Sequence, residues 1–396
     1  MNQKPLSTAQ ILIMAATTGI TIANVYYAQP ILAQIAAAFG ADATAIGRLP
    51  ALTQAGVGIG LFFLAPLGDM LDRKMIVIVL ELLLAVALAG MACSGSLLAA
   101  YACSFAIGVL AVAVQILVPM AAALSQPGAK GKTLGIVFTG TLTGILAARI
   151  FSGYIAQWLG WRWVYGLSAG LALAVALLVL VTLPRQHASQ RGRHTGSYGA
   201  LLASTVRQFG RFARLRRISC MGALVFGAFC SFWTTLTLLL SAAPFNYRSD
   251  QIGLFGLVAI GGAMVAPWFG RMADKASPER AQILTTGLIV CGVLCVTLWP
   301  ASLAAFVLAT LLIDIGVQGT QVNNLAQLYA LDETAHSRIN TVFMTIFFLG
   351  GALGTLVGVL AWGAGGWPLV LVQLLVWSAL AMVVAVLNHR ASLATA

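Results

Sequence analysis

Long apolar runs separated by short polar segments make up almost the whole chain. Residues 164–183 and 281–300 contain no charged residue, and residues 75–93 contain only Glu81. A helix of about 20 apolar residues crosses the roughly 30 Å hydrocarbon core of a bilayer. The pattern therefore predicts twelve membrane-spanning helices, over residues 9–37, 48–67, 75–94, 97–124, 133–158, 162–183, 218–243, 251–269, 281–300, 302–328, 339–362 and 367–387.

The composition excludes a soluble protein and predicts an all-α integral membrane fold. Of the 396 residues, 60% are hydrophobic and 8% are charged, and the mean hydropathy is +0.95. So few polar side chains could not cover a water-exposed surface of this size. The net charge of +12 does not indicate nucleic-acid binding, because the basic residues lie mostly in the loops on one side of the spans.

The distribution of these basic residues predicts the orientation in the membrane. With the N-terminus inside, eighteen Lys and Arg residues fall in cytoplasmic segments, whereas Arg48, Arg162 and Arg248 fall outside. Lys and Arg are enriched on the cytoplasmic side of membrane proteins. Both termini and the segment 184–217 are therefore predicted to be cytoplasmic.

The six spans before this basic segment and the six spans after it carry corresponding motifs. A Gly-x-x-x-Asp motif followed by a basic residue occurs after span 2 and after span 8, at Gly68, Asp72 and Arg73 and at Gly270, Asp274 and Lys275. Such internal repeats are common in transporters. The segment itself fits either an interfacial helix on the anionic inner leaflet or a solvated linker. We predict an N-terminal half at 1–183, a linker at 184–217 and a C-terminal half at 218–396.

This arrangement resembles the major facilitator superfamily over essentially the whole chain. The loop after span 2 carries the Gly and the Asp-Arg pair of the superfamily's signature and lacks its Gly-Arg-Arg tail. Residues 24–30 and 338–351 resemble the arabinose-efflux-permease-like branch, which is grouped with drug–proton antiporters. The resemblance implies two pseudo-symmetric six-helix halves, with spans 1, 4, 7 and 10 around a central cavity.

Span 5 resembles the antiporter motif of the same superfamily. Gly135, Gly144 and Gly153 hold their places, whereas Ala148, Arg149 and Ser152 replace Gly, Pro and Gly. Small residues at this spacing allow two membrane helices to pack closely. We therefore expect the three glycines at the interface between the two halves.

Three ionisable residues, Glu81, Arg149 and Asp314, interrupt otherwise apolar spans. A charge in hydrocarbon costs at least about 2.5 kcal/mol, so such residues predict a function. At about 1.5 Å per residue, Arg149 and Asp314 lie roughly 24 and 20 Å from the cytoplasmic ends of their spans, and Glu81 roughly 10 Å. An Arg149–Asp314 pair is the predicted proton-coupling site. Glu81 is either a second carrier or a residue that pairs with loop charges or a neighbouring helix.

Polar residues in register on spans 1, 4, 7 and 10 predict a water-accessible cavity. The four residues Thr310, Asp314, Gln318 and Gln321 share one face of span 10. The alternative, that polar residues only bond neighbouring helices, stays open for single Ser and Thr residues. The predicted cavity residues are Asn24, Tyr27, Tyr101, Gln115, Trp233, Thr234, Gln318 and Gln321.

The sequence thus predicts a proton-coupled secondary transporter that exports small organic compounds, drug-like or sugar-like, by alternating access. A proton-coupled importer or facilitator of a metabolite is the alternative, since no residue fixes the direction. A membrane scaffold or sensor is the rival class and would be expected to carry a larger soluble domain. The predicted partners are a small molecule, protons and a bacterial inner membrane, with the protein as a monomer. No enzymatic activity, cofactor or metal is predicted.

Overall fold

The computed structural model describes residues 6–126, 128–184, 197–259, 277–332 and 335–393. Before the linker, the helices are α1 (Thr8–Ala23), α2 (Leu32–Phe39), α3 (Ala43–Phe63), α4 (Leu67–Met70), α5 (Arg73–Ala92), α6 (Leu97–Leu110), α7 (Ala113–Leu124), α8 (Lys130–Leu159) and α9 (Trp161–Thr182). They are followed by α10 (Tyr198–Arg211), α11 (Ala213–Ser241), α12 (Ser249–Gly253), α13 (Pro278–Leu298), α14 (Leu303–Tyr329) and α15 (His336–Leu393). These ranges contain no β-strand.

Among the described residues, nine helices are long and apolar enough to cross a membrane, which confirms the predicted all-α membrane class. The helix α15 counts as one of the nine, but its backbone leaves helical geometry at Gly365 and Gly366. It therefore contains the predicted spans 11 and 12. Most of predicted span 8 lies outside the described residues, so the count of twelve stays a prediction.

Short polar side chains begin several of these helices. Ser7 accepts a hydrogen bond from the backbone N–H of Gln10, whose side chain accepts one from the Ser7 N–H. Asp42 accepts a hydrogen bond of 2.6 Å from the backbone of Ala45 at the start of α3. Because the first N–H groups of a helix have no partner within it, such caps define where each helix starts.

The predicted first span, residues 9–37, is not one continuous helix. The helix α1 ends at Ala23, and a 3-10 turn at Gln29–Ile31 precedes α2. Pro30 has no backbone N–H and cannot donate the hydrogen bond of an α-helix, which favours a break at this position. Residues 24–31, which we call the span-1 break, are buried inside the bundle. Irregular backbone at membrane depth is tolerated in such protein-covered positions.

The two halves are in close contact at one end of the bundle. We call the end that carries residues 128, 184 and 197 the linker end, and the opposite end, which carries residues 40 and 160, the far end. At the far end a Cβ on Gly153 of α8 would lie 2.4 Å from the carbonyl oxygen of Ser249. A Cβ on Gly47 of α3 would lie 2.5 Å from a methyl group of Val359. Backbone thus packs directly against the opposite half.

The linker helix α10 lies across the linker end and contacts both halves. The hydroxyl of Tyr198 donates a hydrogen bond to the carbonyl of Phe63 at the end of α3. Arg211 forms an ion pair of 2.9 Å with Asp332, which follows α14. The face of α10 that contains Leu201 is buried. This part of the linker is therefore an ordered helix attached to the bundle.

Candidate functional site

Arg149 lies in the interior, where α8, α11 and the span-1 break meet. Its side chain is 1% exposed, and its Nε donates a hydrogen bond of 3.0 Å to Oε1 of Gln29. The guanidinium stacks on the indole of Trp233 at 3.8 Å and lies 5.3 Å from the ring of Tyr26. A desolvated cation–π contact is worth about 2 kcal/mol. Aromatic rings thus replace part of the hydration that Arg149 loses.

Asp314 lies on α14 next to the same indole ring and is 5% exposed. It interacts with Trp233 and, electrostatically, with Arg149. Among the described residues, no acidic side chain comes within 4 Å of the Arg149 guanidinium. Opposite charges attract each other strongly in a low-dielectric interior even without direct contact. A cation of the N-terminal half and a carboxyl of the C-terminal half therefore share Trp233 as a neighbour.

Several buried polar atoms in this region have no hydrogen-bond partner. They are Nη2 of Arg149, Nε2 of Gln29, Nε1 of Trp233, Oδ2 of Asp314, Oδ1 of Asn24 and Oγ1 of Thr234. A buried polar atom without a partner costs about 1–3 kcal/mol, and native proteins contain few of them. The unpartnered atoms on the span-1 break, α8, α11 and α14 make this region a candidate binding site for a polar ligand.

Glu81 lies on α5 and belongs to a separate polar contact. Thr21 of α1 forms a hydrogen bond with Oε1 of Glu81, and the Thr21 hydroxyl also lies 2.7 Å from the carbonyl of Thr17. A threonine hydroxyl has one proton and a carbonyl can only accept. When Thr21 donates to Thr17, its oxygen can accept a hydrogen bond from a protonated Glu81 carboxyl. The side chain thus makes an interhelical bond, while its Oε2 has no partner.

The other predicted cavity residues do not form one cluster. The ring of Tyr27 packs against Phe151 with 5.7 Å between centroids. The hydroxyl of Tyr101 donates a hydrogen bond of 2.7 Å to the carbonyl of Ala45, which joins α6 to α3 at the far end. Half-buried side chains are found at Gln115, Gln318 and Gln321. Tyr101 therefore lies apart from the Arg149 region.

Gln29 is the site residue that the sequence patterns did not identify. It accepts the hydrogen bond from Arg149, yet it belongs to no helical stripe because it lies in the span-1 break. The signal that could have found it is Pro30, which ends the helical register one residue later. Within the described ranges, no group of three or more His, Cys, Asp or Glu is arranged to bind a metal ion.

The first copy of the repeated motif lies at the linker end, between α4 and α5. Arg73 forms an ion pair of 3.1 Å with Asp69 and donates a hydrogen bond of 2.9 Å to the carbonyl of Gly68. Asp72 caps α5 by accepting a hydrogen bond from the backbone N–H of Lys74. The second copy, at Gly270, Asp274 and Lys275, lies outside the described residues.

A contact between the halves at the linker end involves Asp69, a residue of the same loop that the sequence did not single out. The hydroxyl of Ser337 at the start of α15 lies 3.5 Å from Oδ2 of Asp69. Asp69 thus contacts its own half through Arg73 and the other half through Ser337.

The three glycines of span 5 have different surroundings. A Cβ on Gly144 would lie 2.1 Å from the carbonyl oxygen of Gly19 on α1, so this glycine packs two helices of one half. Gly153 packs against the other half, as described above. Gly135 has nothing within 4 Å of its Cβ position.

An apolar groove of about 600 Å³ runs along α1 and α8. Its lining residues include Leu12, Gly19, Tyr27, Gly140, Ala148 and Phe151. Neither Arg149 nor Asp314 lines it, so the groove and the charged site are separate features. The two features are adjacent in sequence at two points. Tyr27 of the groove directly follows Tyr26 of the charged site, and Ala148 of the groove directly precedes Arg149.

Known proteins resemble this chain over most of its length. The family model described as Major Facilitator Superfamily matches residues 12–355. The uncharacterized transporter YgaY of Escherichia coli O157:H7 is 36% identical over 94% of this chain and 95% of its own. A bacterial homolog of the human lysosomal transporter Spinster has the same fold, with a TM-score of 0.75, 14% identity and 98% of each chain covered. The nucleoside transporter NupG, in a mutant form, has a TM-score of 0.75 at 11% identity, with 96% of this chain and 98% of its own covered.

Proposed function

Because the chain belongs to the major facilitator superfamily of membrane transporters, we propose that it is a proton-coupled transporter of a small organic compound that works by alternating access. One observation carries the proposal: Arg149 of one half and Asp314 of the other are both buried beside Trp233. Intramembrane charges are costly and typically mark proton or substrate pathways.

The position of these two charges in opposite halves supports coupling to the movement of the halves. Asp314 binds its proton with an affinity that depends on the distance to the Arg149 guanidinium. When the halves rock against each other, this distance changes, and so does the proton affinity. Proton uptake and release at Asp314 are thereby tied to the side to which the site opens. The Glu81 carboxyl is a second candidate carrier, since it also is buried with an unpartnered oxygen.

The direction of transport depends on how proton and substrate share this site. If they compete for it, the protein exchanges one for the other and exports its substrate, as the resemblance to drug–proton antiporters implies. If they bind together, an inward proton gradient drives uptake. Proteoliposomes with an imposed pH gradient test the function itself: a pH-sensitive dye inside the vesicles should report a proton flux that appears only when a transported compound is added. Transport of the compound at a rate that does not depend on the pH gradient would refute proton coupling.

We propose that the protein lies in a bacterial inner membrane with its linker end facing the cytoplasm. The eighteen basic residues of the predicted cytoplasmic segments support this orientation, since Lys and Arg are retained inside. In this orientation the far end, where the halves are in contact, faces outward.

Cysteine labelling tests this topology. In a background without the six native cysteines, single cysteines at Lys132 and Arg248 should react with an impermeant maleimide from opposite sides of the membrane. Lys132 should be labelled in inverted vesicles and Arg248 in intact cells. Labelling of both from one side would refute the topology.

Asp69 is proposed to stabilise closure of the linker end, together with the motif residues Asp72 and Arg73. Asp69→Asn weakens the ion pair with Arg73 and the contact with Ser337, so the linker end should open more often. Partly exposed ion pairs contribute about 1 kcal/mol or less, which corresponds to a population shift of at most about fivefold. Spin labels on Lys132 and Ala330 should show a larger share of long distances.

The matched control for this prediction is Asp250→Asn. It weakens an ion pair of 3.5 Å with Arg248 that lies within one half at the far end. Its distance distribution at the linker end should equal that of the unmodified protein. An unchanged distribution in Asp69→Asn as well would show that Asp69 does not hold the linker end.

A further inference from the structure

The unpartnered groups around Arg149 include three hydrogen-bond donors. Nη2 of Arg149, Nε2 of Gln29 and Nε1 of Trp233 all lack a partner, and the three residues are at most 2% exposed. Gln29 already uses its Oε1 to accept from Arg149, so its amide nitrogen is left for another partner. Nearby, Oδ2 of Asp314 is an unpartnered acceptor. A ligand that satisfies the three donors must offer hydrogen-bond acceptors next to a cation.

We propose that this site binds the anionic group of its substrate, a carboxylate or a comparable oxyanion, and that a proton on Asp314 is transported together with it. The inference rests on the proposed proton-coupled transport. A carboxylate accepts charge-assisted hydrogen bonds from guanidinium and amide donors, and arginine binds it in a planar, two-point geometry. An ammonium group would instead meet the positive charge of Arg149.

The charges around the site explain why anion and proton would bind together. The titratable groups that interact with Arg149 are Asp314 on α14, Tyr26 in the span-1 break and Cys230 on α11. A bound carboxylate and an ionised Asp314 would compete for the same guanidinium and repel each other. Anion binding therefore favours protonation of Asp314, and protonation of Asp314 favours anion binding to the same extent, because the coupling is reciprocal.

This coupling determines the direction of transport. A site that binds anion and proton together carries both across the membrane in one step. An inward proton gradient then drives uptake, which is the alternative that the sequence left open. A cationic substrate would behave in the opposite way, since it would compete with the proton for Asp314 and be exchanged for it.

The aromatic side chains around Arg149 indicate what the rest of such a substrate, apart from its anionic group, is made of. Trp233 and Tyr26 flank the guanidinium. The ring centroids of Phe229 and Trp233 are 6.4 Å apart. Aromatic walls with one cationic group fit an aromatic carboxylate better than a sugar or another densely hydroxylated molecule.

The test is thermal unfolding of the purified protein with a panel of aromatic carboxylates that starts with benzoate and phenylacetate, each beside its amide and its amine. Only the carboxylates should raise the melting temperature, because a ligand that binds the folded state stabilises it. Their apparent affinity should increase as the pH is lowered, over a range in which the carboxylates themselves stay mostly ionised. Carboxylates that stabilise no better than their amides and amines would overturn the inference.

Two variants locate the effect at Arg149. Arg149→Lys should weaken carboxylate binding about tenfold, the loss expected for one charge-assisted hydrogen bond. Gln29→Glu is isosteric and supplies a built-in carboxylate beside Arg149, so it should abolish the stabilisation altogether. The matched control is Arg162→Lys, because Arg162 stacks on Trp161 at 4.4 Å and donates to the carbonyl of Ser94, outside this site. Equal carboxylate binding in all four proteins would overturn the inference.

Proton flux in proteoliposomes separates this inference from the proposed function. Proton-coupled transport of an amine would keep the proposed function and refute the anion site. Carboxylate binding that depends on Arg149 without any coupled proton flux would refute proton coupling and keep the anion site.

Discussion

Asp314→Asn should abolish transport driven by a proton gradient and leave the protein folded. Asparagine keeps the size of the side chain but cannot take up or release a proton. The proton flux that a transported compound induces in proteoliposomes should fall to the level of protein-free vesicles. The melting temperature should also fall, because Arg149 loses its negatively charged neighbour in a low-dielectric interior. A folded protein with a sharp melting transition would distinguish a lost proton site from a lost fold.

Glu81→Gln is the matched comparison for this prediction, since Glu81 is also a buried carboxyl within a span. Its contact with Thr21 joins α1 to α5 inside one half, so no movement between the halves changes its surroundings directly. We expect Glu81→Gln to retain proton-driven transport. If Asp314→Asn transports normally and Glu81→Gln does not, Glu81 is the proton carrier and the proposed site is wrong.

The fold class could be predicted from sequence because the bilayer leaves few choices. An apolar run in hydrocarbon must satisfy its backbone hydrogen bonds within itself, so it becomes a helix. Length and polarity then locate most spans to within a few residues, as at Arg73–Ala92 for the predicted span 75–94. The span-1 break was not predicted, because residues 24–31 were included in one long span, although Asn24, Gln29 and Pro30 make this stretch more polar than its neighbours.

The depth of Arg149 and Asp314 in the membrane could also be estimated from sequence. The residues that surround them could not be identified in this way. Residue counts placed Arg149 and Asp314 at similar depth, and the structure brings both next to Trp233. Which faces of α8, α11 and α14 meet depends on how the two halves pack, and helical periodicity does not contain that information. Gln29 was missed for the same reason, since its position follows from an interrupted helix.

Polar stripes were a weaker guide, because a polar side chain in a membrane helix can also bond to a neighbouring backbone. Tyr101 illustrates this: it shares a face with Ser104 and Gln115 in sequence, yet its hydroxyl bonds to the carbonyl of Ala45. In the motif after span 2, Asp72 caps a helix, and the neighbouring Asp69, which the sequence did not single out, contacts the other half.

Gly153→Ala should shift the protein toward conformations that are open at the far end and should strongly reduce transport. The added Cβ would lie 2.4 Å from the carbonyl oxygen of Ser249 and 3.3 Å from Cα of Gly253. Both neighbours are backbone atoms of the other half, so no side chain can move aside, and the halves themselves must separate. Overpacking costs about 1–3 kcal/mol, which changes the ratio of the two states by roughly fivefold to more than a hundredfold. Spin labels on Ala38 and Ala301 should report longer distances across the far end.

Gly135→Ala is the control because it makes the same change on the same helix. Nothing lies within 4 Å of the Cβ position of Gly135, so only the helix propensity changes, by about 1 kcal/mol in favour of alanine. The two variants share that gain, and any difference between them comes from the contact with Ser249. Since alternating access requires the far end to close in every cycle, Gly153→Ala should transport slowly and Gly135→Ala normally. Equal distances and equal transport in both variants would show that the contact between α8 and α12 does not hold the halves together.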